Sequence, residues 1–257
     1  MGEKAKVKRM FILDGGSFLY ESSMMTYGSG IGKKIRIFTP FFAFDTEEGW
    51  ILYDTGLPIT AVELFSSLKM EPMIEKKNIV PQQLEKINVR PGDVSKIIIS
   101  HLHIDHAGGL QYFPDVEVYV QKDEYAYALH PNSFQRYEYQ PENFDLPEIK
   151  WSFLEGDEVI IPGLTAILVN GHTPGLQGLV IELPEKQFFI LGSDAIYLQK
   201  NIDRDLPPGQ AWNMSQALYS VKRLKALQSV LGASLLPGHD FHYYTSRIKT
   251  GEPIGLT

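Results

Sequence analysis

The chain of 257 residues contains no cysteine. That absence excludes disulfides and thiolate ligands, so any bound metal must be held by histidine and carboxylate. Such ligands suit zinc, iron, cobalt or manganese over Cu(I) or an iron–sulfur cluster. Basic clusters are scarce too. No basic block is longer than Lys33-Lys34-Ile35-Arg36, and 24 basic residues stand against 31 acidic ones, a formal net charge of −7. Nucleic acid is therefore not expected as a partner, because phosphate binding rests on clustered Lys and Arg. No apolar run approaches the roughly 18 residues that a membrane span needs, so no membrane partner is expected either. The apolar run from Met10 to Leu13 is too short for a secretory h-region, which makes the cytoplasm the expected location. Internal repeats and low-complexity segments are also lacking. The chain is 44% hydrophobic and 21% charged. This is ample for a single domain over 1–257 with a sizeable core.

What is present reads mainly as strands. Ile35 to Phe44 is β-branched and aromatic, a turn follows at Asp45 to Gly49, and Trp50 to Tyr53 continues as the second arm of a hairpin. Thr60 is expected to cap a helix running to Met70, and Val80 to Ile87 is a second, shorter helix. Strands are expected at Lys96 to Ser100 and Val116 to Val120, with a helix from Lys122 to His130. Residues 131–150 are irregular and aromatic, with Phe134, Tyr137, Tyr139 and Phe144. A loop of this length is a lid, a binding wall or a dimer surface, or its aromatics form a satellite cluster on the core. Four more strands follow, at Val159 to Ile161, Leu164 to Val169, Gly178 to Leu183 and Gln187 to Leu191. Ser215 to Leu231 is the clearest helix, with Ala217, Leu218, Val221, Leu224, Leu227, Val230 and Leu231 on one face. Ser234 to Leu236 is a last short strand. Strands outnumber helices in each half, which predicts two sheets packed face to face with helices outside.

The chemistry concentrates in Ser100-His101-Leu102-His103-Ile104-Asp105-His106-Ala107-Gly108-Gly109, directly after Ile97-Ile98-Ile99. His101 and His103 have the same parity, so in an extended segment both point one way and can share a metal. Asp105 and His106 lie past a turn and can face a second one. Three other segments place His172, Asp194 and His239 beside glycine at the ends of predicted strands, and Asp54 also follows a strand. Glycine permits the tight turns that a crowded site needs, and strand ends on one sheet edge can converge on a cleft. The remaining histidines, His130 and His242, have no such setting.

The motif His-x-His-x-Asp-His, followed by distant His172, Asp194 and His239, resembles the metallo-β-lactamase superfamily. The resemblance extends from Phe38 to Asp240. It implies an α+β fold, an αβ/βα sandwich of two mixed β-sheets flanked by helices. Within the superfamily, Gly171-His172-Thr173-Pro174-Gly175, Asp194-Ala195-Ile196-Tyr197, the stretch from Thr46 to Gly56 and the helical run Ser220 to Lys225 are similar to the N-acyl homoserine lactone lactonases. The implied cofactors are two divalent metal ions, zinc first and iron, cobalt or manganese as alternatives. By this resemblance His101, His103 and His172 hold one ion and Asp105, His106 and His239 the other. Asp194 bridges them, with a hydroxide as second bridge. Asp54 would orient a ligand histidine, although it also fits a plain turn former.

The implied reaction is hydrolytic opening of an acyl lactone, a small-molecule substrate. Hydroxide would attack the ring carbonyl, Tyr197 would donate to the oxyanion, and Asp105 would pass a proton to the leaving alkoxide. Tyr197 also fits an amphipathic core-edge residue. Phe18, Met24, Met25, Leu64, Phe65, Leu68 and Ile104 are candidates for the acyl wall, each equally compatible with ordinary core packing. The competing readings are a thioesterase, a β-lactamase or an organophosphate hydrolase on the same scaffold, and a metal-stabilised sensor without catalysis. The tail after Asp240 carries only Arg247 and Lys249, too few for the basic region a glutathione thioesterase would show. A cysteine-ligated β-lactamase is excluded by composition.

Overall fold

The β-branched run beginning at Ile35 does form an antiparallel hairpin, and its outer partner is a longer strand that the sequence hides. The computed structural model describes residues 6–247 and 252–254. Lys249, noted above, lies outside the described residues. In chain order the strands are β1 (Val7–Glu21), β2 (Lys34–Thr46), β3 (Gly49–Tyr53), β4 (Val94–Ile98), β5 (Glu117–Gln121) and β6 (Lys150–Leu154), then β7 (Glu158–Ile161), β8 (Leu164–Leu168), β9 (Gln177–Leu183), β10 (Gln187–Leu191), β11 (Ser234–Leu236) and β12 (Pro253–Ile254). Thr46 closes the β2–β3 turn. Its hydroxyl donates to Gly49 O at 2.6 Å and accepts from Glu48 N at 3.0 Å.

Two sheets result, ordered β12-β1-β2-β3-β4-β5-β6 and β11-β10-β9-β8-β7. Both are mixed. β1, β2 and β3 pair antiparallel and β3 to β6 parallel, whereas the second sheet has one parallel pair, β10 with β11. Residue parity decides the layers. Phe42, Phe44, Ile51, Tyr53 and Ile98 turn inward against Leu179, Ile181, Leu191 and Leu236 of the second sheet. Their neighbours Phe41, Ala43, Leu52 and Ile97 turn outward and are covered by Val80, Leu84, Ala107 and Ala128 from helical segments. On the far side Ile167 and Ile190 are covered by Val221 and Leu224 of the helix Met214–Leu231. The order helix, sheet, sheet, helix is the αβ/βα sandwich expected.

Several elements differ from expectation. β1 was not foreseen, because Gly15-Gly16 reads as a break. They form instead a bulge between Asp14 and Ser17, where a Cβ on Gly15 would sit 2.4 Å from Thr39 O. The helix after Thr60 spans Ala61–Ser67 and stops short of Met70, since Lys69 takes φ 55°. Thr60 itself makes no side-chain cap bond. The cap of the long helix is Asn213, whose side chain accepts from Ser215 N and Gln216 N, both at 3.1 Å. Val230, assigned to that helix's buried stripe, is 82% exposed near its C-terminal end. The 131–150 segment is partly ordered, with helical turns at Arg136–Glu138 and Pro141–Phe144. Its Tyr139 and Phe144 are buried in the core, and Phe134 is exposed. No helix among the described residues is long and apolar enough to cross a membrane.

Candidate metal centre

β3 and β4 run parallel, and β8, β10 and β11 share one direction within their sheet. The residues that follow these strands converge. Asp54 follows β3, Ser100 and His101 follow β4, His172 follows β8, Asp194 follows β10 and His239 follows β11. His101 and His103 flank Leu102, which is fully buried in the opposite direction. Asp105 and His106 lie on the single turn Ile104–Ala107.

Two groups of ligand atoms result: His101, His103, His172 and Asp194, and beside them Asp105, His106 and His239. Within each group the atoms lie within 4.8 Å of one another. Asp194 touches both. Its Oδ2 is 3.6 Å from His101 Nε2 and 3.3 Å from His172 Nε2, and its Oδ1 is 3.2 Å from His106 Nε2 and 3.0 Å from His239 Nε2. Asp105 reaches 3.6 Å from His106 Nε2 and 3.7 Å from His239 Nε2.

The outward ring nitrogens fix which atom faces in. His239 Nδ1 donates to Phe38 O at 2.7 Å, His172 Nδ1 to Gln210 O at 3.0 Å and His106 Nδ1 to Asp54 Oδ2 at 2.7 Å. His101 Nδ1 lies 3.1 Å from Ser100 Oγ, whose proton goes to Asp54 Oδ2 at 2.8 Å. Each of these rings therefore turns Nε2 inward. Asp54 is held at φ 62°, a left-handed conformation, and also accepts Ser100 N at 2.7 Å.

Burial holds His101 and His103 well below the usual histidine range, reinforced by the neighbouring rings, so both are neutral and ready to ligate. Burial also acts to lower His106, but Asp105, Asp194 and Asp54 outweigh it and raise that ring well above its ordinary value. Burial acts to raise Asp194, yet His239, His106, His101 and His172 hold it well below the usual carboxylate range. The donor set suits divalent cations. Imidazoles and carboxylates converge, the inward His106 Nε2 has no hydrogen-bond partner among the described residues, and no lysine or arginine is among the residues lining the cleft.

The site opens into a cleft whose empty space, its open mouth included, is about 510 Å³. Phe18, Met25, Leu64, Phe65, Leu68 and Ile104 line it, as do Asp105, Asp194, Tyr197 and His239. Met24, also expected there, packs against this cluster without lining the cleft. Tyr197 is buried, with its hydroxyl 3.2 Å from His172 Nδ1. Tyr137 lines the cleft, as the binding-wall reading of 131–150 allowed, and with it stand three residues not anticipated, Tyr20, Glu138 and Gln210. Tyr20 Oη lies 3.0 Å from Tyr137 Oη and donates to Gln210 Oε1 at 3.0 Å. Burial pushes the Glu138 carboxyl up to about 8 against the opposing effect of Gln210. None of the four belongs to a motif, and the glycine-flanked pattern that marks the ligands is missing around them.

A convergent histidine and carboxylate site at the strand ends of an αβ/βα sandwich defines a class. The profile of the metallo-beta-lactamase superfamily matches residues 38–239, and the chain belongs to that superfamily. Within it, the chain belongs to the N-acyl homoserine lactonases. It is 33% identical over 241 residues to N-acyl homoserine lactonase AiiA of Bacillus thuringiensis subsp. kurstaki, covering 91% of this chain and 94% of that one. To N-acyl homoserine lactonase AttM of Azorhizobium caulinodans it is 29% identical over 247 residues, covering 90% and 93%. A solved N-acyl homoserine lactone hydrolase with its product, N-hexanoyl-L-homoserine, at the catalytic metal centre superposes with a TM-score of 0.87. That match has 30% identity and covers 97% of this chain and all of the other.

Proposed function

We propose that this chain, acting as one hydrolase unit, opens the lactone ring of N-acyl homoserine lactones with two zinc ions. The carrying observation is the division of Asp194, one oxygen toward His101 and His172 and the other toward His106 and His239, at the floor of an apolar cleft. His101, His103 and His172 would hold one ion, Asp105, His106 and His239 the other, and Asp194 both. When bound, such ions lower the pKa of a shared water from ~15.7 toward ~7 and polarise the ring carbonyl.

The chain's own groups do the rest. Burial, with Asp194 and Glu138 nearby, keeps Tyr197 protonated far above neutrality, so its O–H can donate to the oxyanion as it forms. Asp105 stands at the cleft with a side chain 15% exposed. From there its carboxylate can take the proton of the attacking water and deliver it to the homoserine alkoxide. The acyl C–O bond of the ring breaks, and the products are one carboxylate and one hydroxyl on the same molecule. The acyl chain would lie along Phe18, Phe65, Leu64 and Ile104, which exclude water from one side of the carbonyl.

The test strips the metals, assays ring opening, then restores zinc, cobalt or manganese in turn, with a thioester and a β-lactam run in parallel. Loss and metal-dependent return of lactone hydrolysis is the expected result. Hydrolysis that survives complete metal removal, or a clear preference for the thioester or β-lactam, would sink the reading.

A further inference from the structure

His103 departs from the other ligand histidines. Its inward atom is Nδ1, 3.0 Å from His101 Nε2 and 3.1 Å from His172 Nε2, where the others turn Nε2 inward. Its outward Nε2 is buried and without a hydrogen-bond partner among the described residues. That atom lies 3.4 Å from Glu138 Oε2, which is likewise buried and unpartnered. Unpaired buried polar atoms are costly, and here one imidazole nitrogen and one carboxylate oxygen face each other. The other oxygen of Glu138 is engaged, since Gln210 Nε2 donates to Oε1 and the Tyr20 hydroxyl lies 3.4 Å from it. Backbone contact between His103 and Tyr139 places Glu138 against the ring from the adjoining residue.

We propose that Glu138 is a positioning residue of this site. Its Oε2 accepts the Nε2–H of His103 and so commits that ring to the tautomer with the Nδ1 lone pair facing inward. This is the same service that Asp54 gives His106 through the opposite ring nitrogen, at 2.7 Å. The 131–150 segment thereby has two functions. Through Tyr137 and Glu138 it walls the cleft, and through Glu138 it holds the ligand set together. The proposal rests on the two-metal reading above.

Glu138→Gln is nearly isosteric and is the informative change. Its Oε1 keeps the contacts with Gln210 and Tyr20, so an amide N–H₂ turns toward His103 Nε2, and donor meets donor. The ring is then driven toward the tautomer whose Nδ1 carries the proton and cannot ligate. Zinc-loaded wild type and Glu138→Gln are compared by counting ions retained across a chelator series and by recording imidazole N–H protons by NMR. Wild type should retain two ions and show a downfield, hydrogen-bonded His103 Nε2–H, assigned with a His103→Gln variant. Glu138→Gln should lose one ion with roughly 10- to 100-fold weaker affinity, keep the other and lose that resonance. Retention of both ions with unchanged affinity overturns the proposal. If the variant does not fold, the wild-type spectrum decides alone, since a His103 N–H without the downfield shift overturns it too. Failure of the wild type to take up two ions would instead overturn the metal reading beneath it.

Discussion

The backbone N–H of Leu102 donates to Glu124 Oε1 at 3.0 Å. Leu102 stands between His101 and His103, so this bond fixes the extended geometry that points both rings one way. Glu124 also accepts from the Tyr139 hydroxyl at 3.0 Å and from Gly175 N at 3.3 Å. One buried carboxylate thus fastens the segment carrying two ligands to the turn carrying a third, His172. Gly175 is required there, because a Cβ would lie 2.3 Å from Glu124 N. Removing the carboxylate by Glu124→Ala leaves two buried N–H groups without an acceptor. At roughly 1–3 kcal/mol for each such group, partly relieved by relaxation, a loss of about 2–4 kcal/mol is expected. Urea unfolding of the metal-loaded protein measures it, and an unshifted midpoint would contradict this account.

Asp54 and Ser100 tie the two ligand groups together from below. Asp54 accepts from His106 Nδ1 directly, and through Ser100 Oγ it reaches His101. Asp54→Ala should therefore weaken metal binding by roughly 10- to 100-fold, chiefly at the ion held by His106. Ser100→Ala should have a smaller effect, centred on the ion held by His101. Equilibrium dialysis with zinc separates them, and equal losses from both ions in both variants would refute the division.

What the sequence made legible was local. Same-side parity of His101 and His103, and glycine beside His172, Asp194 and His239, are properties of a few adjacent residues, and the structure brings all of these together. The two-sheet sandwich followed from the excess of strand-like runs over helical ones in each half. What stayed hidden depends on distant contacts. β1 was masked by a glycine pair whose role is to let Thr39 approach. Glu138 and Gln210 are 72 residues apart, on irregular stretches without hydrophobic period, and meet only after both sheets have packed. Val230 lies off the face on which Leu227 and Leu231 pack, so an apolar residue at near-helical spacing still turns to solvent.

The apolar wall of the cleft should control reach along the acyl chain. Phe65 packs on Phe18 with ring centroids 4.5 Å apart, and both line the cleft. Phe65→Ala removes apolar surface from the cleft wall, surface that a long acyl chain covers more fully than a short one. The kcat/KM for a long acyl chain should fall by about 10- to 100-fold, as expected for losing 1–3 kcal/mol of apolar contact, with little change for a short chain. A steady-state comparison of hexanoyl and dodecanoyl lactones tests this. An equal loss on both would move Phe65 from substrate contact to support of the site.

Tyr197 gives the sharpest test of chemistry as distinct from assembly. Its hydroxyl oxygen faces His172 Nδ1 at 3.2 Å, but that nitrogen already donates to Gln210 O at 3.0 Å. The tyrosine proton is thus not needed to hold His172 and can point into the cleft. Tyr197→Phe should lower kcat by about 10- to 100-fold, the range toward the lower end of losses for one oxyanion donor, while both metals remain bound. KM should change less, because the hydroxyl matters most when charge develops on the oxygen. The pH profile of the wild type should show no tyrosine limb below 10, since burial raises this phenol well above its usual value. Metal analysis of the same preparation completes the argument. If kcat falls only in proportion to lost zinc, Tyr197 supports His172 and another group donates to the oxyanion.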